Sequence, residues 1–138
     1  MSRVDNWRTL LAQFIDERRD RAFEWGSHDC CLFAADWVKT ATGYDLADGF
    51  RGRYNSALGA HRLTASLGGL VPFVSHCLKE VAQPASVSEA TAGDLIVRDS
   101  GDGDCIGIVL GTQSAFVAKH GLEFLPTGLQ ADARFWKL

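Results

Sequence analysis

Apolar residues in the first half of the chain recur with the spacing of amphipathic helices. The first set lies on one helical face behind a cap at Asp5 or Asn6 and comprises Trp7, Leu10, Leu11, Phe14 and Ile15. A second helix is predicted to start at Asp29 and to stop at Gly43, a residue type that favours the left-handed conformation found after helix ends. Two further helical patterns cover about 56–67 and the residues from Pro72 onward.

Beyond Pro84 the pattern changes to short β-rich runs separated by Gly, Asp and Ser. These runs occupy residues 94–98, 105–111, 115–118, 122–126 and 134–138. The short connections GTQS and KHG between them suit β-hairpins. Helices followed by closely spaced strands predict an α+β fold, with N-terminal helices packed on a C-terminal antiparallel β-sheet.

The composition is that of a folded domain and narrows the classes of partner. The 138 residues are 46% apolar and 22% charged, which predicts a single domain over 1–138. The net charge of −3 gives no basic field for nucleic acid, and the basic patch at Arg51 and Arg53 suits contact with a partner protein instead. No apolar run has the length of a membrane span, and the first ten residues lack a signal-peptide core. We therefore expect no nucleic-acid partner, no membrane span, and synthesis in the cytoplasm without a signal peptide.

The chain contains four cysteines, Cys30, Cys31, Cys77 and Cys105. Because Cys30 and Cys31 are adjacent, the four do not resemble a disulfide framework, and reduced thiols are expected. His28 lies close to both, but no C-x₂-C pair exists, and adjacent cysteines on a helix cannot both reach one tetrahedral zinc ion comfortably. The acidic run at 99–104 lacks the glutamate of a calcium loop and indicates a turn between strands. We expect no metal and no cofactor.

Cys30 stands at the predicted start of the second helix, directly after Asp29. An aspartate at this position caps the first turn, and the positive end of the helix dipole favours a thiolate there. A nucleophile also needs a general base and donors for an oxyanion, one of which could be its own backbone N–H. The same pattern arises when a small buried cysteine follows an ordinary cap, and local physics alone favours that second interpretation.

Several stretches together resemble one known family. WGSHDCCLFAADWV (25–38) resembles the GxDCSGL start of the NlpC/P60 family, papain-like cysteine peptidases that cleave the stem peptides of peptidoglycan. In the same order, TAGDLIV (91–97) resembles the family's xPGDLvff strand, CIGIVLG (105–111) resembles HVGIYLG, and SAFVA (114–118) resembles the strand that follows. With RGRY (51–54) and the final FWKL, the chain looks more closely like small NlpC/P60-like proteins of phage and prophage tail modules. The resemblance implies a papain-like, NlpC/P60-like architecture.

The departures from that family concern its catalytic residues. The resemblance puts Cys30 in the place of the nucleophile. The histidine that acts as general base opens the HVGIY strand, and this chain has Cys105 there. The third catalytic residue falls near Val117 or Ala118, which are both apolar. Loss of general acid–base assistance typically costs about 10²–10⁴-fold in rate.

Another histidine could replace the missing base. His120 follows the strand on the expected face and is the first candidate. His28, two residues before Cys30, is the second, although it could equally be a loop residue in solvent or hold the preceding turn through a hydrogen bond. The candidate catalytic residues are Cys30, His120, His28 and Asp29.

Two functional interpretations follow from the resemblance. The one we favour is a component of the phage tail tip or of tail assembly that has lost the peptidase machinery, is located in the virion, and binds other tail proteins. The alternative is an active cysteine endopeptidase that cleaves peptidoglycan when the tail meets the cell, with Cys30 as nucleophile. An amidase or acyltransferase using the same thiol is a more remote third class. The sequence leaves open whether the chain is an enzyme.

Overall fold

Helices precede a β-sheet in the computed structural model, which describes residues 2–130 and 132–138. The helices within these ranges are α1 (Trp7–Arg18), α2 (Cys30–Thr42), α3 (Ala57–Ala65) and α4 (Leu70–Leu78), and a 3₁₀ turn covers Thr127–Leu129. The strands are β1 (Gln83–Ala85), β2 (Leu95–Asp99), β3 (Asp104–Val109), β4 (Gln113–Ala118), β5 (Gly121–Pro126) and β6 (Arg134–Lys137). The predicted α+β class, with helices first and an antiparallel sheet after them, is confirmed.

The six strands form one antiparallel sheet in the order β1-β6-β2-β3-β4-β5. The two hairpins predicted from GTQS and KHG are present, since β3 pairs with β4 and β4 with β5. The sequence pattern missed β1, a three-residue edge strand with Pro84 at its centre. Proline weakens a strand signal because it cannot donate to the ladder, and for the same reason it is tolerated at an edge.

Helix α2 is the buried helix of the fold, and the sequence predicted its ends correctly. Asp29 is its N-cap, with an extended backbone, and Gly43 ends it in the left-handed conformation with φ of 84°. Apolar residues cover most of its circumference, as expected for a helix enclosed on several sides. The indole N–H of the fully buried Trp37 donates to the carbonyl oxygen of Gly93 at 2.9 Å, just before β2. This bond ties α2 to the sheet and helps to place its N-terminus beside β3.

Asp94 joins Arg3, near one end of the chain, to Lys137 and Leu138 at the other. Its fully buried carboxylate accepts hydrogen bonds from Arg3 Nη2 at 2.7 Å, from Lys137 Nζ at 3.0 Å, and from the backbone N–H of Leu138 at 3.1 Å. The backbone N–H of Thr91 donates to it at 2.9 Å. A buried carboxylate is costly unless it is paired and hydrogen-bonded, and here both conditions are met.

Arg51, one of the two arginines of the predicted basic patch, forms ion pairs within the chain. Its guanidinium contacts Asp36 at 2.7 Å and Asp45 at 3.0 Å, and this pairing with Asp45 raises the pKa of Arg51 above its usual value. Arg51 therefore holds the loop after α2 against that helix.

Across residues 2–130 and 132–138, no helix combines the length and apolar character that crossing a bilayer requires.

Candidate site at the start of helix α2

Asp29 connects three segments at the N-terminus of α2. Its Oδ1 accepts the backbone N–H of Leu32 at 2.9 Å, as a helix cap does. Its Oδ2 accepts the backbone N–H of Gly26 at 2.9 Å and the hydroxyl of Tyr54. The residue is only 1% exposed. The carboxylate is thus committed to structural donors, and burial together with this bond strongly raises the pKa of Tyr54. Sequence reasoning did not find Tyr54 as a partner, because it lies in a separate loop.

Gly26 lets the turn before α2 pack against the loop that carries Tyr54. Its φ is +77°, and a Cβ atom there would lie 2.1 Å from the backbone oxygen of Tyr54. Any other residue would be strained by the left-handed backbone and would also collide with that carbonyl. The glycine that follows Trp25 is therefore required for steric reasons.

Cys30 borders the main hydrophobic core, on the helix that packs on β3, the strand that carries Cys105. Both cysteines are partly exposed, and both are free thiols. The thiol of Cys105 lies 3.9 Å from the carbonyl oxygen of Ile106, and Cys105 stands directly opposite Arg98 on the neighbouring strand β2. The structure thus packs the helix that begins at Cys30 against the strand whose Cys105 stands where the resembling family has its histidine.

The surroundings shift the pKa values of these two thiols in opposite directions. The neighbouring Cys105 thiol is the chief cause that lowers the pKa of Cys30, with the Cys31 thiol and backbone groups adding to the effect and burial opposing it. The pKa of Cys105 is raised, first by the neighbouring Cys30 and then by burial. These shifts favour ionisation of Cys30 over ionisation of Cys105.

Two cysteines, Cys31 and Cys77, meet at one cavity, which the sequence did not indicate. Cys31, next to Cys30, lines a small apolar cavity of about 30 Å³ between α2 and α4. Cys77 lines the same cavity together with Phe50 and Phe73. Burial raises the pKa of Cys77, and the neighbouring Cys30 together with burial raises that of Cys31. These inner thiols are thus protonated residues of the core.

His28 is fully buried, which corrects the expectation of a solvated or hydrogen-bonded loop residue. Within the described ranges, neither ring nitrogen has a hydrogen-bond partner. The imidazole instead meets the ring of Phe33 edge-on, with 5.9 Å between the ring centroids. Burial, followed by the charges of Arg21 and Arg18, lowers the pKa of His28. The side chain is thus a neutral residue of the core beneath α2.

Replacing His28 with phenylalanine should weaken the loss of stability in acid. An unfolded histidine titrates near pH 6.5, and the folded pKa of His28 is lower. Below about pH 6.5 the unfolded chain therefore binds more protons than the native one, and the free energy of unfolding falls as the pH decreases toward the folded pKa. Denaturant unfolding at about pH 7.5 and about pH 5 should show a smaller fall in His28→Phe than in the wild type.

The matched control for that experiment is His61→Phe, on the exposed surface of α3. It should leave the acid dependence of the wild type unchanged. At about pH 7.5 the His28→Phe protein should lie within about 1.5 kcal/mol of the wild type, because the swap roughly conserves volume. An undiminished acid dependence in His28→Phe would show that the imidazole does not titrate in this way.

His120 lies in the exposed turn between β4 and β5. It borders a shallow surface groove that is also lined by Arg19, Asp20 and Lys119. No hydrogen bond among the described residues joins Cys30 to His120 or to His28. The structure therefore brings Cys30 and Asp29 together and leaves both histidines outside their hydrogen bonds. The catalytic roles of these residues stay predictions.

Among the described residues, the candidate site does not have the ligand arrangement of a metal centre. In the part of the chain that the structure describes, no three His, Cys, Asp or Glu side chains are grouped so that they could hold a metal ion. Chemically, the arrangement offers a partly exposed cysteine with a lowered pKa at the N-terminus of a helix.

One family model matches almost the whole chain, whereas a search of curated proteins finds no match for the chain. A family model described as "Domain of unknown function (DUF6950)" matches residues 2–138. Because that match includes the first turn of α2, the start of β3 and the rest of the sheet, the protein belongs to the DUF6950 family.

Proposed function

We propose that the protein is a component of a phage tail, built on an NlpC/P60-like domain that does not hydrolyse peptides. The observation that carries the non-hydrolytic part is that no hydrogen bond among the described residues joins Cys30 to His28 or His120, while Cys105 occupies the position of the family's base. The phage-tail part rests on the resemblance of the sequence. The partners in this proposal are other tail proteins, and the location is the virion.

The chemistry of peptide hydrolysis explains why a thiol is a poor substitute for histidine. After a thiolate attacks an amide, the leaving amine must receive a proton, and the best donor has a pKa near the working pH. The neighbouring Cys30 and burial both raise the pKa of Cys105, which moves it away from that range. Asp29 cannot take over, since its oxygens already accept three hydrogen bonds.

A cysteine endopeptidase is the second candidate, and one observation favours it. Cys30 is partly exposed at a helix N-terminus, and its pKa is well below that of a free thiol. Such a thiolate is the form that attacks carbonyl carbon. This function would further need His28 or His120 to reach Cys30 when peptidoglycan binds.

The two candidates differ in their expected action on cell walls. The purified wild-type protein should release no peptide fragments from peptidoglycan, in the same assay in which an active NlpC/P60 peptidase does so. Cys30→Ala should match the wild type in this assay, should keep its fold, and should still be incorporated into tails. Chromatography of the digest and immunoblots of purified particles measure these outcomes.

Fragment release that disappears in Cys30→Ala would overturn the non-hydrolytic proposal and establish the peptidase. The Cys77→Ser protein is the matched control, because it removes another thiol, which lines the cavity between α2 and α4. Absence of the chain from purified tails would contradict the structural role in the mature virion.

A further inference from the structure

A groove of about 670 Å³ runs beside the outer face of α1. The helix side of the groove includes Arg8, Ala12 and Asp16, which are all exposed. The opposite side includes Ala92, just before β2, and Leu110, just after β3. We propose that a second copy of the chain docks on this face, with the α1 helices of the two copies packed antiparallel about a twofold axis at Ala12. This inference does not depend on the proposed tail function.

The order of charges along α1 is complementary to itself. Arg8, Ala12 and Asp16 follow one another at intervals of four residues, so they form one row on the helix surface, of the kind that packs between helices. A twofold axis at Ala12 places the residue four positions before it beside the residue four positions after it in the other copy. Arg8 of each copy therefore meets Asp16 of the other, and the contact contains the same ion pair twice.

Neither charge has a strong partner within its own chain. Among the described residues Arg8 forms no ion pair, and its guanidinium lies over the ring of Trp7 at 4.4 Å, beside the groove. The carboxylate of Asp16 is 4.0 Å from Arg19 Nε, and both of these side chains are largely exposed. Because such an exposed contact contributes little, Arg8 and Asp16 are available to pair across the twofold axis.

The middle of the row and the far side of the groove supply apolar contact. Ala12 is small, so the axes of two α1 helices can approach to about 8–10 Å, the usual distance of packed helices. Trp7, Ala92 and Leu110 are half-buried at the edge of the main core, and a second helix in the groove would cover them further.

The contact is small, and its size sets the strength of the dimer. Helix α1 has 12 residues and is about 18 Å long, which places the contact at the low end of the range of protein interfaces. The dimer is therefore weak and dissociates on dilution, so the dilute protein used in unfolding measurements is monomeric.

The test is sedimentation equilibrium of the full-length wild-type protein over a range of concentrations. The measured mass should rise from 15.0 kDa, the mass of one chain, in dilute solution toward twice that value at about 500 μM. Glu80→Arg, which reverses an exposed charge after α4, is the matched control and should associate like the wild type.

Charge reversal identifies the surface that forms the contact. Arg8→Asp and Asp16→Arg each place like charges together, so each variant alone should stay monomeric at the highest concentration. An equimolar mixture of the two variants should associate again, because one copy then presents two negative charges to two positive charges of the other. Restored association in the mixture also shows that both variants are folded.

Three results would overturn the proposal. The first is a wild-type protein that stays monomeric at the highest concentration, which would leave the groove to a partner of another kind. The second is a dimer that survives both charge reversals, which would place the contact elsewhere on the surface. The third is a mixture of the two variants, each folded by circular dichroism, that stays monomeric. None of these results changes the proposed tail function.

Discussion

Replacing Asp94 with alanine is expected to lower the free energy of unfolding by about 3–5 kcal/mol, the usual cost of removing one partner of a buried ion pair. The carboxylate accepts hydrogen bonds from Arg3, from Lys137, and from the backbone N–H groups of Thr91 and Leu138. Without it these donors lose their acceptor, and the Arg3 side chain, only 11% exposed, loses its counter-charge. Denaturant unfolding followed by circular dichroism measures the loss.

Asp16→Ala is the matched control for this prediction. Asp16 also faces an arginine, Arg19 at 4.0 Å, but both side chains are largely exposed. Exposed pairs contribute about 0–1 kcal/mol, so this variant should remain close to the wild type. Amide exchange in β6 should also become faster in Asp94→Ala, because Asp94 holds the last two residues of the chain. Equal losses in the two variants would contradict the clamping role of Asp94.

Replacing Asp29 with alanine should cost about 3 kcal/mol. Loss of the helix cap alone costs about 1 kcal/mol. The N–H of Gly26 and the hydroxyl of Tyr54, which are both only part-buried, then lose their acceptor as well, and each adds about 1 kcal/mol, the low end of the cost of an unsatisfied donor. The first turn of α2, which carries Cys30, should fray, and amide exchange at Leu32 should become faster.

Two variants separate the contributions of Asp29. Ser56→Ala removes the cap of α3, where an exposed hydroxyl accepts one N–H, from Gly59 at 3.1 Å, and should cost about 1 kcal/mol. Tyr54→Phe removes one of the three donors to Asp29 and should cost about 1 kcal/mol. If Asp29→Ala cost no more than Ser56→Ala, the carboxylate would be an ordinary cap and not a clamp between three segments.

The local chemistry of α2 was predictable from the sequence because its signals lie within a few residues of one another. Asp29 has the side chain that caps a first turn, Gly43 has the freedom to leave a helix, and the apolar residues between them require burial. The two hairpins were predictable for the same reason, because their turn residues lie within a few positions of one another in the sequence. Strand β1 was missed because three residues with a central proline have no periodic pattern.

The environment of the candidate residues was not predictable in the same way. His28 looked like a loop residue by its neighbours in sequence, but the chain folds it beneath α2 against Phe33. Asp29 looked like a cap or a catalytic group, and a distant loop supplies Tyr54 as its third donor. In each case the environment of the side chain depends on tertiary packing, which the neighbouring residues in sequence do not predict.

By itself, the sequence determined the α+β class, the ends of α2, and the presence of a cysteine at each of the two positions that the resemblance singles out. Only the tertiary structure decided that Tyr54 donates to Asp29, that Asp94 joins both chain ends, and that His28 is buried without a polar partner among the described residues. The physical reason is the range of the interactions. Caps and periodicity act within one or two turns of chain, whereas the pKa of a thiol depends on whatever group the packing of α2 on the sheet brings beside it.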